Sequence, residues 1–436
     1  MKPFVIKDKF IPSGRISFPG DKSIAHRALI ISALSSGKTI INNFPVHDDS
    51  LATLSVLSAL GVKITRGNNQ VLVWGTQGLR KPHKPVLVNN SGTTLRLILG
   101  VLAGQDFETK IIAGKYLSAR PMARVNKPLR LMGAKITARK MGTEEYPPLA
   151  ISGGNIKGIL YRMPVASAQV KSAILLAGLF ALGKTRVIER ISTRDHTERM
   201  LKTFGANITV SKNSITLIPD RGLSSPGAIY IPGDISSAAF LAVLAIIIPG
   251  AKIVIERVSL NPGRCGIINV LKRMGAKIKV MPFKSKKAQS SEPMGNLKVS
   301  SGKIKATVVK HSEIPSLIDE LPVLMVAACF AEGNTIIKGA GELRFKETDR
   351  INSLVTNLRS MGADIRAIKS GGLENILIKG KGFLNGAKLK SFGDHRTAMS
   401  MVVAALAAKG SSRLDDISCI SKSFPGFLTT VKSLLR

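Results

Sequence analysis

The chain has 436 residues, 44% hydrophobic and 21% charged, which is ordinary for a soluble globular protein and suits two or three domains with ample core. Its longest clean apolar run, Ala238 to Ile248, is too short to span a bilayer, and the opening MKPFVIKDKF lacks the apolar stretch of a signal peptide, so no membrane association and a cytoplasmic location are expected. The formal charge of +37 calls for anionic company, yet the lysines are dispersed and aromatics make up only 5%, so nucleic-acid binding is not expected as the main task.

The first predicted element is a strand within MKPFVIKDKF. After it, the chain repeats itself six times: a short polar turn opens onto an apolar, Ala/Leu-rich helix that stops at a glycine. The openings are PGDKS from Pro19, NNSGT from Asn89, ASAQ from Ala166, PGDISS from Pro232, IDE from Ile318 and GDHR from Gly393. The closing glycines are Gly37, Gly104, Gly183, Gly250, Gly333 and Gly410, and β-rich stretches such as TIINNF, TRVIERI, KIVIERV and TIIKGA follow several of them. A second echo reads SALGVKI, LRLMGAKI, LKTFGANI, LKRMGAKI and LRSMGADI, a helix closed by Gly61, Gly133, Gly205, Gly275 or Gly362 and then a strand. Each unit is therefore expected to run helix, strand pair, helix, strand.

Six α/β units exceed one core, so two lobes of three units each are expected, with a seam near AIYIPGD (Ala228 to Asp234). The apolar helices have no polar face and should be buried. Their N-termini then gather as positive dipole ends, which suit phosphates and carboxylates.

The chemistry-bearing residues stand at those ends. In PGDKSIAHR, Asp21 or Ser23 can cap the helix, Lys22 stands where an anion would rest, and Arg27 lies one turn along from Ser23. NNSGTTLR repeats the design with Gly92, Thr93 and Arg96, and SAQVKS adds Ser167, Gln169 and Lys171. Any one of these alone reads as a capped surface helix; three in one lobe favour an oxyanion site. Further on, Asp319 and Glu320 begin an apolar helix, a place where carboxylates also simply favour the dipole. KETDR groups Lys346, Glu347 and Arg350, and SKSFPGF carries Lys422. Arg396 opens a helix, where a cation is out of place unless it meets an anion. His395 reads better as a hydrogen-bonded holder of its turn than as a base.

Two other signals are set aside. GLFALGKT, from Gly178 to Thr185, matches the phosphate-loop pattern letter for letter, but a helix precedes it and a strand follows, the reverse of what that loop needs. Cys265, Cys329 and Cys419 lie far apart with no metal-type spacing, which fits a reducing compartment and predicts no metal site.

In order along nearly the whole chain, PGDKSIAHR, SGTTLR, RPM, SAQVKSAILLAG, TRDHTERML, PGDISSAAF, LIDELPVLMVAA, KETDR, GDHRTAM and SFPGF resemble the 5-enolpyruvylshikimate-3-phosphate synthase family. The resemblance implies an α/β enolpyruvyl transferase fold, two similar lobes each of three βαβαββ units with buried helices, closing over a cleft. It implies that the chain crosses between lobes twice, giving one lobe of residues 1–20 plus 232–436 and another of 21–231. It implies transfer of the enolpyruvyl group of phosphoenolpyruvate to the 5-hydroxyl of shikimate 3-phosphate, with release of phosphate, by a monomer using neither metal nor organic cofactor.

By the same resemblance, Lys22, Ser23, Arg27, Ser167, Ala168, Gln169, Arg194, Asp319 and Lys346 would hold shikimate 3-phosphate. Lys22, Gly92, Arg120, Gln169, Arg350, Arg396 and Lys422 would hold phosphoenolpyruvate. Asp319 would take the 5-hydroxyl proton, Glu347 would protonate and later deprotonate the methylene carbon, and Lys22 would serve the leaving phosphate. Gly92 is the form associated with sensitivity to glyphosate. GKYLSARPM, from Gly114 to Met122, departs from the family in being basic and shorter.

Two rivals stand beside this reading. An enolpyruvyl transferase acting on UDP-N-acetylglucosamine would need a loop cysteine around residues 105 to 120, and none is there. A basic RNA-binding repeat protein would account for the charge but not for the helix-entry motifs.

Overall fold

The computed structural model describes residues 4–6, 10–76, 78–283 and 292–434. Among them no helix is long and apolar enough to cross a membrane. Six helices form the scaffold: α1 (Lys22–Ala33), α2 (Gly92–Leu102), α3 (Ala168–Gly178), α4 (Ile235–Ile247), α5 (Leu321–Phe330) and α6 (His395–Ala407). They are the apolar runs of the sequence, and they are buried almost throughout. In α4 every residue but Ile247 is buried, and in α6 every residue but Ala407. With each buried Leu or Ile contributing roughly 1.5–3 kcal/mol, these helices are the centre of the fold rather than its surface.

The chain forms two compact units. One is the continuous stretch Pro19–Pro232, joined by Glu292; the other takes the described residues up to Phe18 and from Gly233 onward. The first is built around α1, α2 and α3, the second around α4, α5 and α6, and each has a single apolar core.

Within a unit the repeat is easiest to follow from Val86. The strand Val86–Leu87 leads into α2, which returns to Thr109–Ile112, parallel to the first strand. The amphipathic helix Ala123–Met132 follows, then the hairpin Lys135–Met141 and Glu144–Ser152, whose second strand pairs antiparallel with Thr109–Ile112. The pattern recurs around α3 and α5. This corrects the order read from the repeats themselves and agrees with the βαβαββ unit that the family resemblance implies. Around α2, α3 and α5 a single strand follows the buried helix, and the strand pair comes after the second helix.

The echo glycines close the amphipathic helices as expected. Gly61, Gly133, Gly205, Gly275 and Gly362 have φ between 84° and 114°. At Gly133 the left-handed turn lets its N–H reach Arg130 O at 2.9 Å, so the helix ends there and the next strand begins at Lys135.

Two repeats borrow their opening strand from elsewhere in the chain. The α1 repeat takes Ala228–Tyr230, parallel to Lys38–Asn42, and the α4 repeat takes Ser13–Ser17, parallel to Lys252–Ser259. The strand Phe4–Ile6, expected from the opening sequence, pairs antiparallel with Ser412–Leu414 behind α6. The phosphate-loop look-alike lies where α3 hands over to the strand Thr185–Ile188, so it is a helix-to-strand turn.

Candidate active site

In the Pro19–Pro232 unit, the side chains singled out by the sequence converge on the N-termini of α1, α2 and α3. Asp21 caps α1 by accepting from the Ile24 N–H at 3.0 Å, Ser91 caps α2 through the Thr94 N–H, and Ser167 caps α3 through the Val170 N–H. Lys22, the first residue of α1, places Nζ 2.9 Å from Asp49 Oδ2. Burial favours the neutral acid, but Lys22 and then His26 hold the Asp49 carboxyl below its ordinary value. Asp49 opens the helix Asp48–Ala59 and was not singled out from the sequence; its only signal was the acid pair in FPVHDDS, which reads equally as a charged helix start.

Arg27 is buried and anchored on the protein. It donates through Nε to Thr197 Oγ1 at 2.7 Å, through Nη2 to Ser172 Oγ at 2.7 Å and through Nη1 to the Ser23 carbonyl at 2.8 Å. Burial pulls its guanidinium down to about 10, so it remains a cation at neutral pH. Arg194 adds a second positive charge against it. Ala168 is the first residue of α3, and Gln169, next to it, donates to Thr93 Oγ1 at 2.9 Å while accepting from Arg96 Nη1 at 3.1 Å. These bonds join the ends of α2 and α3.

Gly92 begins α2 beneath two guanidinium groups. A Cβ added there would meet Arg96 Nη1 at 2.6 Å and Arg120 Nη1 at 3.3 Å. Burial, reinforced by the charges of Arg120 and Arg124, lowers Arg96 to about 9. Like charges packed this closely at the positive end of a helix make a strong anion site. The basic loop before Arg120 is held by Asn90, whose Oδ1 accepts from the N–H groups of Tyr116 and Leu117.

Lys171 departs from expectation. Rather than facing an oxyanion site, its ammonium is buried between Glu189 at 3.0 Å and Glu198 at 2.6 Å. It lies beyond the first turn of α3, where the helix has already turned inward, and there a cation needs carboxylates from its own unit.

In the other unit the ends of α4, α5 and α6 carry acids as well as bases. Asp319 lies just before α5, with three guanidinium groups around its carboxylate: Arg264 Nη1 at 3.7 Å, Arg350 Nη1 at 3.8 Å and Arg396 Nε at 3.8 Å. Arg396 also donates to the Asp319 carbonyl at 2.8 Å, so the cation that seemed misplaced at the start of α6 does meet an anion. Glu320, fully buried, is the N-cap residue of α5. Arg350 opens the helix Arg350–Ser360 and binds Asp394 at 2.8 Å. Burial opposes its charge, yet Asp394, Glu347 and Asp319 hold the guanidinium above its ordinary value.

Glu347 accepts from or donates to His395 Nδ1 at 2.9 Å, so His395 does hold its neighbourhood by hydrogen bonding. Glu347, Asp394 and His395 bring ligand atoms within 4.8 Å of one another. Asp394, however, is engaged by Arg350 and by the Arg396 and Thr397 N–H groups, which suits the cluster poorly to a metal ion. Lys422 reaches the Gly393 carbonyl at 3.2 Å, beside the start of α6. Lys346 follows the tight turn Gly341–Phe345 and adjoins Glu347 in sequence.

Arg264 went unnoticed in the sequence, because a single arginine in the turn NPGRCG carries no pattern of its own. The Asx-Pro-Gly turn that presents it was the one available signal.

The chain that builds these helix ends, with Lys22 at the start of α1, Gly92 at the start of α2 and Arg396 near the start of α6, is similar to known proteins in three comparisons. Residues 11–431 match the family model for EPSP synthase (3-phosphoshikimate 1-carboxyvinyltransferase). The chain is 45% identical to the 3-phosphoshikimate 1-carboxyvinyltransferase of Desulforamulus reducens over 97% of each chain. It is also 45% identical to that of Geobacillus thermodenitrificans, over 97% of this chain and 96% of the relative. Among solved structures it is similar to an EPSP synthase from Acinetobacter baumannii, with a TM-score of 0.88 and 39% identity, covering 99% of this chain and 97% of that one.

Proposed function

The chain belongs to the EPSP synthase (3-phosphoshikimate 1-carboxyvinyltransferase) family, and from that premise we propose how its own residues divide the work. The enzyme transfers the enolpyruvyl group of phosphoenolpyruvate to the 5-hydroxyl of shikimate 3-phosphate and releases phosphate, a step of aromatic amino-acid synthesis in the cytoplasm.

Shikimate 3-phosphate is held by Lys22, Ser23, Arg27, Ser167, Ala168, Gln169, Arg194, Asp319 and Lys346. Phosphoenolpyruvate is held by Lys22, Gly92, Arg120, Gln169, Arg350, Arg396 and Lys422. Two multiply charged anions repel each other, and fixed guanidinium groups with helix N-termini offset that repulsion before reaction begins.

The 5-hydroxyl oxygen bonds to C2 of phosphoenolpyruvate as Asp319 takes its proton, while Glu347 gives a proton to C3 and turns it into a methyl group. The product is a tetrahedral ketal that still carries the phosphate. Glu347 then removes a methyl proton, the C2–O bond to phosphate breaks, and Lys22 neutralises the departing phosphate.

The observation that carries this assignment is the ring of three guanidinium groups around Asp319, which favours its ionised, proton-accepting form. The test is phosphate release with both substrates. Asp319→Ala should mainly lower kcat, and Lys22→Ala should weaken the handling of both ligands. Wild-type activity without large losses in both variants would refute the roles.

A further inference from the structure

Arg264 stands apart from the other cations near Asp319. The turn Asn261 to Arg264 is fixed by two bonds, Gly263 N–H to Asn261 Oδ1 at 2.8 Å and Arg264 N–H to the Asn261 carbonyl at 2.8 Å. It delivers the arginine side chain, only 2% exposed, between the ends of α4 and α5. There Nη2 donates to Ser236 Oγ at 2.7 Å and lies 3.3 Å from Asp234 Oδ1, while Nη1 lies 3.6 Å from Glu320 Oε1 and 3.7 Å from Asp319 Oδ2. Ser236 also donates to Glu320. One guanidinium thus serves three carboxylates, two of them consecutive in sequence.

We propose that Arg264 is a positioning residue that keeps Asp319 ionised while phosphoenolpyruvate occupies Arg350 and Arg396. This rests on the reading of Asp319 as the base. The groups facing Asp319 are Arg350 from the helix Arg350–Ser360, Arg396 from α6, Arg264 from the turn before Gly266–Arg273, and Glu320 beside it. Asp234 lies one step away through Arg264, while Glu347 and Asp394 lie one step away through Arg350. In the unliganded enzyme these guanidinium groups offset the neighbouring Glu320 carboxylate. Once a substrate anion binds Arg350 and Arg396, their charge is shared with it, and the adjacent Glu320 would drive a proton onto Asp319. Arg264, sealed from solvent, cannot be drawn to the substrate. It compensates Glu320 and Asp319 together in every state of the cycle.

A purely structural arginine and a positioning one leave different traces in the pH dependence of kcat, which reports groups in the loaded enzyme. With the full chain and both substrates saturating, R264Q should move the acid limb of kcat upward by about one pH unit or more, the size of one arginine's effect on a nearby carboxylate. Its alkaline plateau should stay within about threefold of the parent, because a less stabilised carboxylate is also a stronger base. R264K, which keeps the charge, should restore the limb. E320Q, which removes the like charge without changing shape, should move the limb downward.

A loss in R264Q that is equal at every pH overturns the proposal. Should R264Q fail to fold, E320Q decides: an acid limb that stays in place overturns it equally. The underlying assignment fails separately, through undiminished turnover in D319A.

Discussion

Arg350 donates through Nε to Asp394 Oδ2 at 2.8 Å, tying the start of one helix to the residue that caps α6. Burial would raise the Asp394 carboxyl, but Arg350 holds it below its ordinary value. Asp394→Asn separates the two duties of this residue, since asparagine caps helices as well as aspartate does. The Arg396 and Thr397 N–H groups keep an acceptor, while Arg350 loses the carboxylate hydrogen-bonded to it and keeps Glu347 and Asp319 as weaker counter-charges. Losing one partner of a buried pair costs about 3 kcal/mol. Urea unfolding should show that loss, and kcat/KM for phosphoenolpyruvate should fall as Arg350 reorients. Unchanged values for both would remove the pair from the account.

Lys171 offers a stability test at a residue assigned to neither substrate. Lys171→Met keeps the volume but leaves Glu189 and Glu198 without the ammonium they share. The expected cost is about 3–5 kcal/mol. Adding Glu198→Gln to Lys171→Met should recover part of it, because one stranded carboxylate is then neutral. Strict additivity of the two changes in a double-mutant cycle would contradict the coupling.

Two glycines in α2 should respond in opposite ways to alanine. At Gly100 the new Cβ would sit 2.2 Å from the Ala173 carbonyl oxygen, a backbone contact between α2 and α3 that cannot give way locally. Gly100→Ala should therefore destabilise by about 1–3 kcal/mol or more, read as a lowered Tm. At Gly92 the Cβ would meet side-chain atoms rather than backbone: Arg96 Nη1 at 2.6 Å, Arg120 Nη1 at 3.3 Å and Leu117 Cδ1 at 3.6 Å. Gly92→Ala should keep its Tm, while KM for phosphoenolpyruvate rises by about tenfold, equivalent to 1.4 kcal/mol. Glyphosate should inhibit the parent enzyme and inhibit this variant less. Full turnover of the parent at saturating glyphosate would contradict the assignment of Gly92.

Two histidines set the expected pH dependence of stability. Burial lowers His26 to about 3 and His47 to about 4, both well under the usual 6.5. Below pH 6.5 the unfolded chain takes up these protons and the folded one does not, so stability falls as pH drops from 6.5 toward 4. Each histidine contributes about 1.4 kcal/mol per pH unit in that window. His26→Gln should flatten the slope of unfolding free energy against pH. A slope as steep as the parent's would show that His26 does not titrate this way.

The sequence carried the repeats well because their signals are local. An apolar run with no polar face has to be buried, and a glycine followed by a strand needs the left-handed turn that Gly61 and Gly133 adopt. The order of strands within a repeat was legible through the family resemblance but not from the repeats themselves, since it depends on which strand a buried helix must return beside. Arg396 stood out because a cation at a helix start conflicts with the dipole, and Lys22 and Arg27 because they stand within reach of an anion at the end of α1. Asp49 and Arg264 did not, because each matters only through a partner distant in the chain. Lys171 was misread for the complementary reason: the two carboxylates that neutralise it lie on other segments.

The borrowed strands have a consequence for how the polypeptide matures on the ribosome. Ser13–Ser17 is made before the Pro19–Pro232 stretch, yet its partner Lys252–Ser259 emerges only after that stretch has been synthesised. That unit holds both halves of its own opening sheet, Lys38–Asn42 and Ala228–Tyr230, and can close while the remainder is still being translated. The leading segment has to wait with an unpaired edge, a delay that long-range pairing imposes on any nascent chain.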